Sequence, residues 1–176
     1  MHLRRLERKD APLMLEWMHD PSVVEHLHAN FLSKTLEDCE RFISNSQTDE
    51  NNLHLAITDD SDVYLGTVSL KDIHDGMAEF AITIRASAMG KGVSCAAMRE
   101  IIRIGFEEKN LNSIFWCVSP ENKRAVRFYD KNGYVRVPYE RLSIRGYSDD
   151  MIRSMIWYLV SEDVWRDPPC TAPEIS

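Results

Sequence analysis

The chain has no cysteine pair at metal-ligand spacing. Its four cysteines, Cys39, Cys95, Cys117 and Cys170, lie far apart, and no Cys-x-x-Cys occurs. This argues against a zinc site or a dithiol redox centre, so no metal is expected. No disulfide framework is implied either, and reduced thiols in a cytoplasmic setting are the default expectation. No apolar run approaches the roughly 20 residues of a membrane span. The opening Met1-His2-Leu3-Arg4-Arg5 leads into charged residues, so it does not read as a secretory signal. Basic residues are in deficit: 21 Lys and Arg against 28 Asp and Glu give a net charge of -7. That balance opposes binding to a phosphate backbone, so neither nucleic acid nor membrane is expected as a partner. It suits a cationic substrate, but it serves solubility equally well. No repeat and no internal linker divides the chain. One domain over residues 1–166 is expected. Residues 167–176 are expected to form a flexible tail, because Pro168, Pro169 and Pro173 favour an extended, frayed chain.

The remaining composition is that of a globular protein, 44% hydrophobic and 28% charged over 176 residues. Leu3 to Leu6 reads as a first strand, followed by a helix with Asp10 as cap, Pro12 in its first turn and Leu13, Met14, Trp17 and Met18 at helical spacing. A helical pair covers Ser22 to Ser46, with Ser33 or Thr35 capping a stripe of Leu36, Cys39 and Ile43. The period then changes to two. Leu53, Leu55 and Ile57 alternate with polar residues, Val63 to Leu70 forms a second run, and Met77 to Ile84 a third, with turn chemistry at Ile73-His74-Asp75-Gly76. Gly92 to Lys109 returns to helix and Ile114 to Val118 to strand. Ser119 can cap the next helix, which Asn132-Gly133 ends. Val135 to Ile144 and Ile152 to Val160 read as two last strands around Ser148-Asp149-Asp150. The whole is an α/β (α+β) chain with a mixed sheet of about seven strands.

The first stretch with chemical content is Ala88-Met89-Gly90-Lys91-Gly92-Val93-Ser94. Two glycines between a strand and a helix let main-chain N–H groups approach a ligand, and the helix start adds its positive dipole end. Such a pattern is also plain turn chemistry. It is not a P-loop, which would end in Gly-Lys-Ser/Thr, and it lacks the third glycine of a dinucleotide fingerprint. The second stretch, Ser119 to Tyr134, contains Asn122, Ala125, Tyr129, Gly133 and Tyr134. Together the two stretches resemble the GNAT superfamily of N-acetyltransferases. Met89, Gly92 and Ser94 occupy the family loop Gln/Arg-x-x-Gly-x-Gly/Ala, and the five residues just named match Asn-x-x-Ala-x-x-x-Tyr-x-x-x-Gly-Phe/Tyr. Ala78 to Ile82 resembles the family's fourth strand. The opening Leu3 to Asp10 and the segment Arg145-Gly146-Tyr147-Ser148-Asp149 are similar to the branch holding ribosomal-protein N-terminal, spermidine and amino-sugar acetyltransferases. Met89 and Ser94 depart from the loop pattern. Because main-chain donors hold the phosphates, Met89 costs a side-chain contact and Ser94 adds a hydroxyl.

The resemblance implies a mostly antiparallel seven-stranded sheet splayed between strands four and five, with acetyl-CoA as co-substrate in the opening. It also implies direct acetyl transfer to a primary amine in a ternary complex. The acceptor is a polyamine, an amino sugar or a protein N-terminus. A non-catalytic acyl-CoA sensor on the same fold is the alternative. The implied coenzyme contacts are Ile82, Ile84, Met89, Gly90, Lys91, Gly92, Val93, Ser94, Asn122, Arg124, Ala125 and Tyr129, with Lys123 and Arg127 available to a phosphate. Tyr129 is the candidate general acid toward the departing thiolate, beside the plainer role of a packed helix tyrosine. Asn122 reaches the pantetheine arm or serves its own helix start. Glu79 is the candidate base, needed because an amine near pKa 10 is mostly protonated at neutral pH. It lies on the strand face opposite Phe80 and Ile82, where a solvated carboxylate would also fit. His26, His28 and His74 are the other base candidates. Cys95 and Cys117 are expected to have no nucleophilic role, and Trp17, Trp116 and Trp157 to pack in the core. The oligomeric state is open, a homodimer included.

Overall fold

The computed structural model describes residues 1–27 and 29–166, with Arg166 by its backbone alone. Its centre is a seven-stranded sheet in the order β1-β2-β3-β4-β5-β7-β6. The strands are β1 (His2–Arg5), β2 (Leu53–Thr58), β3 (Tyr64–His74), β4 (Met77–Ile84), β5 (Ser113–Val118), β6 (Val135–Arg136) and β7 (Ile156–Ser161). Every pairing is antiparallel except β4 with β5. The helices are α1 (Ala11–Met18), α2 (Pro21–Val24), α3 (Leu36–Ser46), α4 (Val93–Glu107), α5 (Lys123–Lys131), α6 (Asp149–Ser154) and α7 (Glu162–Arg166).

The period-two pattern of the strands divides the core between two faces. Leu55 and Ile57 of β2 join Val68, Leu70, Phe80 and Ile84 in a layer against Ala97, Met98, Ile101 and Ile102 of α4. Ala56, between them, turns to the other face and meets Met14, Trp17, Cys39 and Ile43 of α1 and α3. On that second face Trp17 Nε1 donates to the Tyr64 hydroxyl at 3.0 Å, and the Tyr64 and Thr67 hydroxyls share a 2.6 Å hydrogen bond, so the buried polar atoms are satisfied. The β3–β4 hairpin closes on Asp75 and Gly76, both left-handed with φ of 48° and 74°, the geometry a two-residue turn of the I′ kind demands.

What positions the site is a fork. β4 and β5 pair only at Met77/Ser113, Ala78/Ile114 and Glu79/Phe115, yet β4 runs on to Ile84 and β5 to Val118. The antiparallel register on the other side of β4, extended by the bond from Arg85 N–H to the Leu65 carbonyl, directs the peptide groups of odd-numbered residues to β3. By alternation the peptide groups of Ile82 and Ile84 face the gap that β5 leaves.

The seven-stranded mixed sheet matches the expectation from sequence, as do most element positions. Four local expectations are corrected. Val135 to Ile144 is not a long strand: only Val135–Arg136 is strand, with one more bond from Val137 N–H to the Trp157 carbonyl at 2.9 Å, because Pro138 cannot donate to a ladder and a 3-10 turn follows at Tyr139–Arg141. The start of the expected last strand is helical instead. Ser148 accepts from Met151 N–H and opens α6, so the strand begins only at Ile156. Asn122, not Ser119, caps α5, accepting from Ala125 N–H at 3.0 Å. Asp10 stands at the start of α1 without capping it. Its buried carboxylate instead accepts from both terminal nitrogens of Arg4 at 2.8 Å and from Glu7 N–H at 2.8 Å. The expected tail 167–176, with Cys170, lies outside the described residues.

Candidate active site

The loop between β4 and α4 is built from a 3-10 turn at Ala86–Ala88 and two left-handed glycines, Gly90 with φ 77° and Gly92 with φ 76°, the latter at the N-cap of α4. A side-chain carbon at either glycine would meet nothing within 4 Å. The first main-chain donor to find a partner in α4 is Ala96, which bonds the Gly92 carbonyl at 3.2 Å. Among the described residues, the N–H groups of Gly90, Lys91, Gly92, Val93, Ser94 and Cys95 donate to no protein acceptor. Six free donors on an exposed bend at a helix start make an anion site with room in front of it.

The second phosphate-binding element expected from sequence, α5, lies beside this loop. Arg124 Nη1 is 2.7 Å from Met89 Sδ, and Cys95 Sγ is 3.7 Å from Asn132 Oδ1. The side chain of Met89 packs against the core, so the loop holds its position without the Gln or Arg of the family pattern, and Arg124 supplies a cation at the same point. Lys123 folds back onto the Pro120 carbonyl at 2.7 Å, while Arg127 is exposed. Asn122 Oδ1 is committed to its own helix start, which leaves its amide N–H₂ as the group free to reach a ligand. Ala125 lies half-buried against the core in the first turn of α5.

Tyr129 sits one step past the fork. Its ring packs on Trp116, the first β5 residue beyond the last β4–β5 pair, with centroids 5.3 Å apart, and on Tyr158 at 5.1 Å. Burial among these rings pushes its phenol well above the ordinary tyrosine value. Among the described residues its hydroxyl has no hydrogen-bond partner, and the one sealed, unpartnered side-chain polar atom is Trp116 Nε1. The Tyr129 hydroxyl therefore opens onto accessible space although the residue is 8% exposed. The packed-tyrosine reading describes its ring, but not its free hydroxyl.

Glu79 stands at the fork itself, opposite Phe115, on the sheet face away from Phe80. It is 9% exposed, which rules out a solvated strand carboxylate. Oε1 accepts from the Tyr147 hydroxyl at 2.5 Å and Oε2 pairs with Lys71 Nζ at 3.2 Å. Cys117 adjoins this group. Its thiol is pushed up to about 11, chiefly by burial and then by the Glu79 charge, so it stays protonated at neutral pH. His74 lies in the hairpin, on the closed side of the fork, with its ring nitrogens on the Asp72 carbonyl at 2.6 Å and the Ser143 hydroxyl at 3.3 Å. His26 is within 4.0 Å of Glu25 in the turn after α2, and His28 lies outside the described residues. Lys71 and Tyr147 are the participants that sequence reasoning missed. The signal for Lys71 was its register opposite Glu79. Tyr147 carried a motif resemblance with no role attached.

Comparison with known proteins agrees with this geometry. Residues 1–135 match the family model described as an acetyltransferase (GNAT) domain. Spermidine N(1)-acetyltransferase of Vibrio cholerae is 26% identical over 161 residues, 88% of this chain and 91% of that protein. Acetyltransferase PseH of Campylobacter jejuni is 22% identical over 129 residues, 73% of this chain and 79% of that one. Among solved structures, the Vibrio cholerae spermidine N-acetyltransferase in complex with CoA and spermine superposes with a TM-score of 0.79 at 21% identity, covering 94% of this chain and 98% of that chain. Another structure of that protein is described as dodecameric. The match over residues 1–135, on a forked seven-stranded sheet carrying the free-amide loop, places the chain in the GNAT family of acetyltransferases.

Proposed function

We propose that the protein transfers acetyl from acetyl-CoA to a primary amine by direct attack, with the coenzyme lying in the β4–β5 fork. The observation that carries this reading is the run of six unpartnered N–H groups from Gly90 to Cys95, opening beside the fork. These donors, with the α4 dipole, hold the diphosphate, and Arg124 adds its charge beside Met89. The peptide groups of Ile82 and Ile84 turn into the fork, where they bind the pantetheine arm. A β4 N–H there stabilises the negative charge that develops on the thioester oxygen. The amine approaches from the Glu79 face. As its nitrogen bonds the acetyl carbon, Glu79 takes the amine proton, directly or through a water, the C–S bond breaks, and Tyr129 gives its proton to the sulfur. Tyr129 is protonated throughout the neutral range, as a proton donor must be.

The acceptor class is proposed as a small amine of polyamine or amino-sugar type. The acidic balance of the chain and the named activities of the relatives support it. The test is thiol release from acetyl-CoA across polyamines, amino-sugar nucleotides and N-terminal peptides. Turnover on at least one acceptor, with kcat lowered about 10²-fold or more in Tyr129→Phe and the acetyl-CoA KM little changed, is the expected result. Tight acetyl-CoA binding with no turnover on any amine would overturn it in favour of a sensor.

A further inference from the structure

The proton acceptor of the proposed reaction is held from outside its own strand. Tyr147 reaches Glu79 across 68 residues of sequence, and its hydroxyl donates to Oε1 at 2.5 Å. The local chain fixes the approach. Gly146, with φ 79°, makes a turn that most other residues resist, and Ser148 directly after Tyr147 caps α6 through Met151 N–H at 3.3 Å. The Tyr147 ring stands edge-on to Trp157 with centroids 5.8 Å apart, and Trp157 is itself anchored by Nε1 donating to the Ile152 carbonyl at 2.8 Å. Backbone and ring are thus both constrained where the phenol oxygen meets Glu79.

Resting on the reading of Glu79 as proton acceptor, we propose that Tyr147 is its positioning residue, fixing the orientation of the carboxylate at the fork. The carboxylate has about four acceptor positions, so one hydrogen bond and one ion pair leave room for an incoming amine or water. Tyr147 from the segment before α6 donates the hydrogen bond to Oε1, Lys71 from β3 supplies the ion pair at Oε2, and the Cys117 thiol from β5 lies near this charge. Lys71 alone would neutralise Glu79 without fixing its rotamer, since an ammonium on a four-carbon stem is an undirected point charge.

The test is Tyr147→Phe, which keeps the ring on Trp157 and removes only the hydroxyl. Its melting temperature should stay within a few degrees of the parent, which separates loss of fold from loss of position. With acetyl-CoA and an accepted amine, kcat should fall on the order of tenfold while the KM for acetyl-CoA is unchanged. In a Glu79→Gln background, Tyr147→Phe should have no further effect on kcat. An unchanged kcat in Tyr147→Phe, or losses that multiply in the double variant, overturns the positioning role. Full activity of Glu79→Gln overturns instead the reading of Glu79 as proton acceptor.

Discussion

Gly92→Ala and Gly133→Ala form a matched pair that separates backbone strain from coenzyme binding. The two glycines have almost the same backbone angle, φ 76° and 77°, and an added carbon meets nothing within 4 Å at either. Each substitution therefore costs only the left-handed penalty, about 1–2 kcal/mol. In a chain of this size that is a fall in melting temperature of roughly 2–4 °C per kcal/mol, the same for both variants. They differ in what the open space is for. Gly92 stands among the six free amides at the start of α4, whereas Gly133 ends α5. A methyl group at Gly92, or a relaxation of its φ, disturbs several donors at once. Losing two charge-assisted hydrogen bonds of about 1.5–3 kcal/mol each weakens acetyl-CoA by roughly 10²- to 10⁴-fold. Calorimetric titration with acetyl-CoA reads this directly, and ligand-induced thermal stabilisation reads it independently. Equal affinities in the two variants, whether both kept or both lost, would refute the assignment of the Gly90–Cys95 bend to the diphosphate.

Stability should fall at alkaline pH. Burial pushes Tyr64 and Tyr134 up to about 12 and raises Tyr129 as well, against an unfolded value near 10. The folded chain then binds more protons than the unfolded one, so this stability is complete below about pH 10 and is lost as pH rises toward 12, at up to about 1.4 kcal/mol per unit for each tyrosine. Urea midpoints that stay level between pH 9 and 11 would contradict it. Asp10→Ala should destabilise by about 2–3 kcal/mol in urea unfolding, because Asp10 is 1% exposed and accepts charge-assisted hydrogen bonds from Arg4 through both oxygens, while Arg4 keeps its bond to Asp62. A cost near 1 kcal/mol would mean that Asp10 acts only as the helix cap first expected of it.

Most of the sheet was legible because its strands follow the period-two rule, and β4 runs over the residues expected of it, Met77–Ile84. The C-terminal part was not. Val135 to Ile144 is rich in strand-forming residues, but Pro138 breaks the ladder, and propensity cannot show where pairing stops. The helix cap was misplaced by three residues because Ser119, Pro120 and Asn122 all carry start signals, and only the fold decides that Asn122 accepts from Ala125. Of the candidate site, the loop, Tyr129 and Glu79 could be found from motif and alternation. Lys71 and Tyr147 could not, since one depends on strand register and the other on a contact between segments 68 residues apart.

Adjacent residues on β4 serve opposite sides of the proposed reaction. Glu79 turns to the face of Lys71 and Tyr147, and Phe80 turns to the other, where its ring meets Trp116 at 5.6 Å and Trp116 meets Tyr129 at 5.3 Å. Proton acceptor and proton donor are thereby kept apart by the thickness of a sheet, and the fork that begins just after Glu79 is the passage between them. In the proposed reaction, a thioester lying in that passage would present its carbonyl carbon to an amine on the carboxylate side and its sulfur to the phenol on the aromatic side. The two proposed proton transfers would then not compete for one position. In a fully paired sheet the same two side chains would have no shared ligand, so the unpaired stretch of β4 from Ile82 to Ile84 is the feature on which both roles depend.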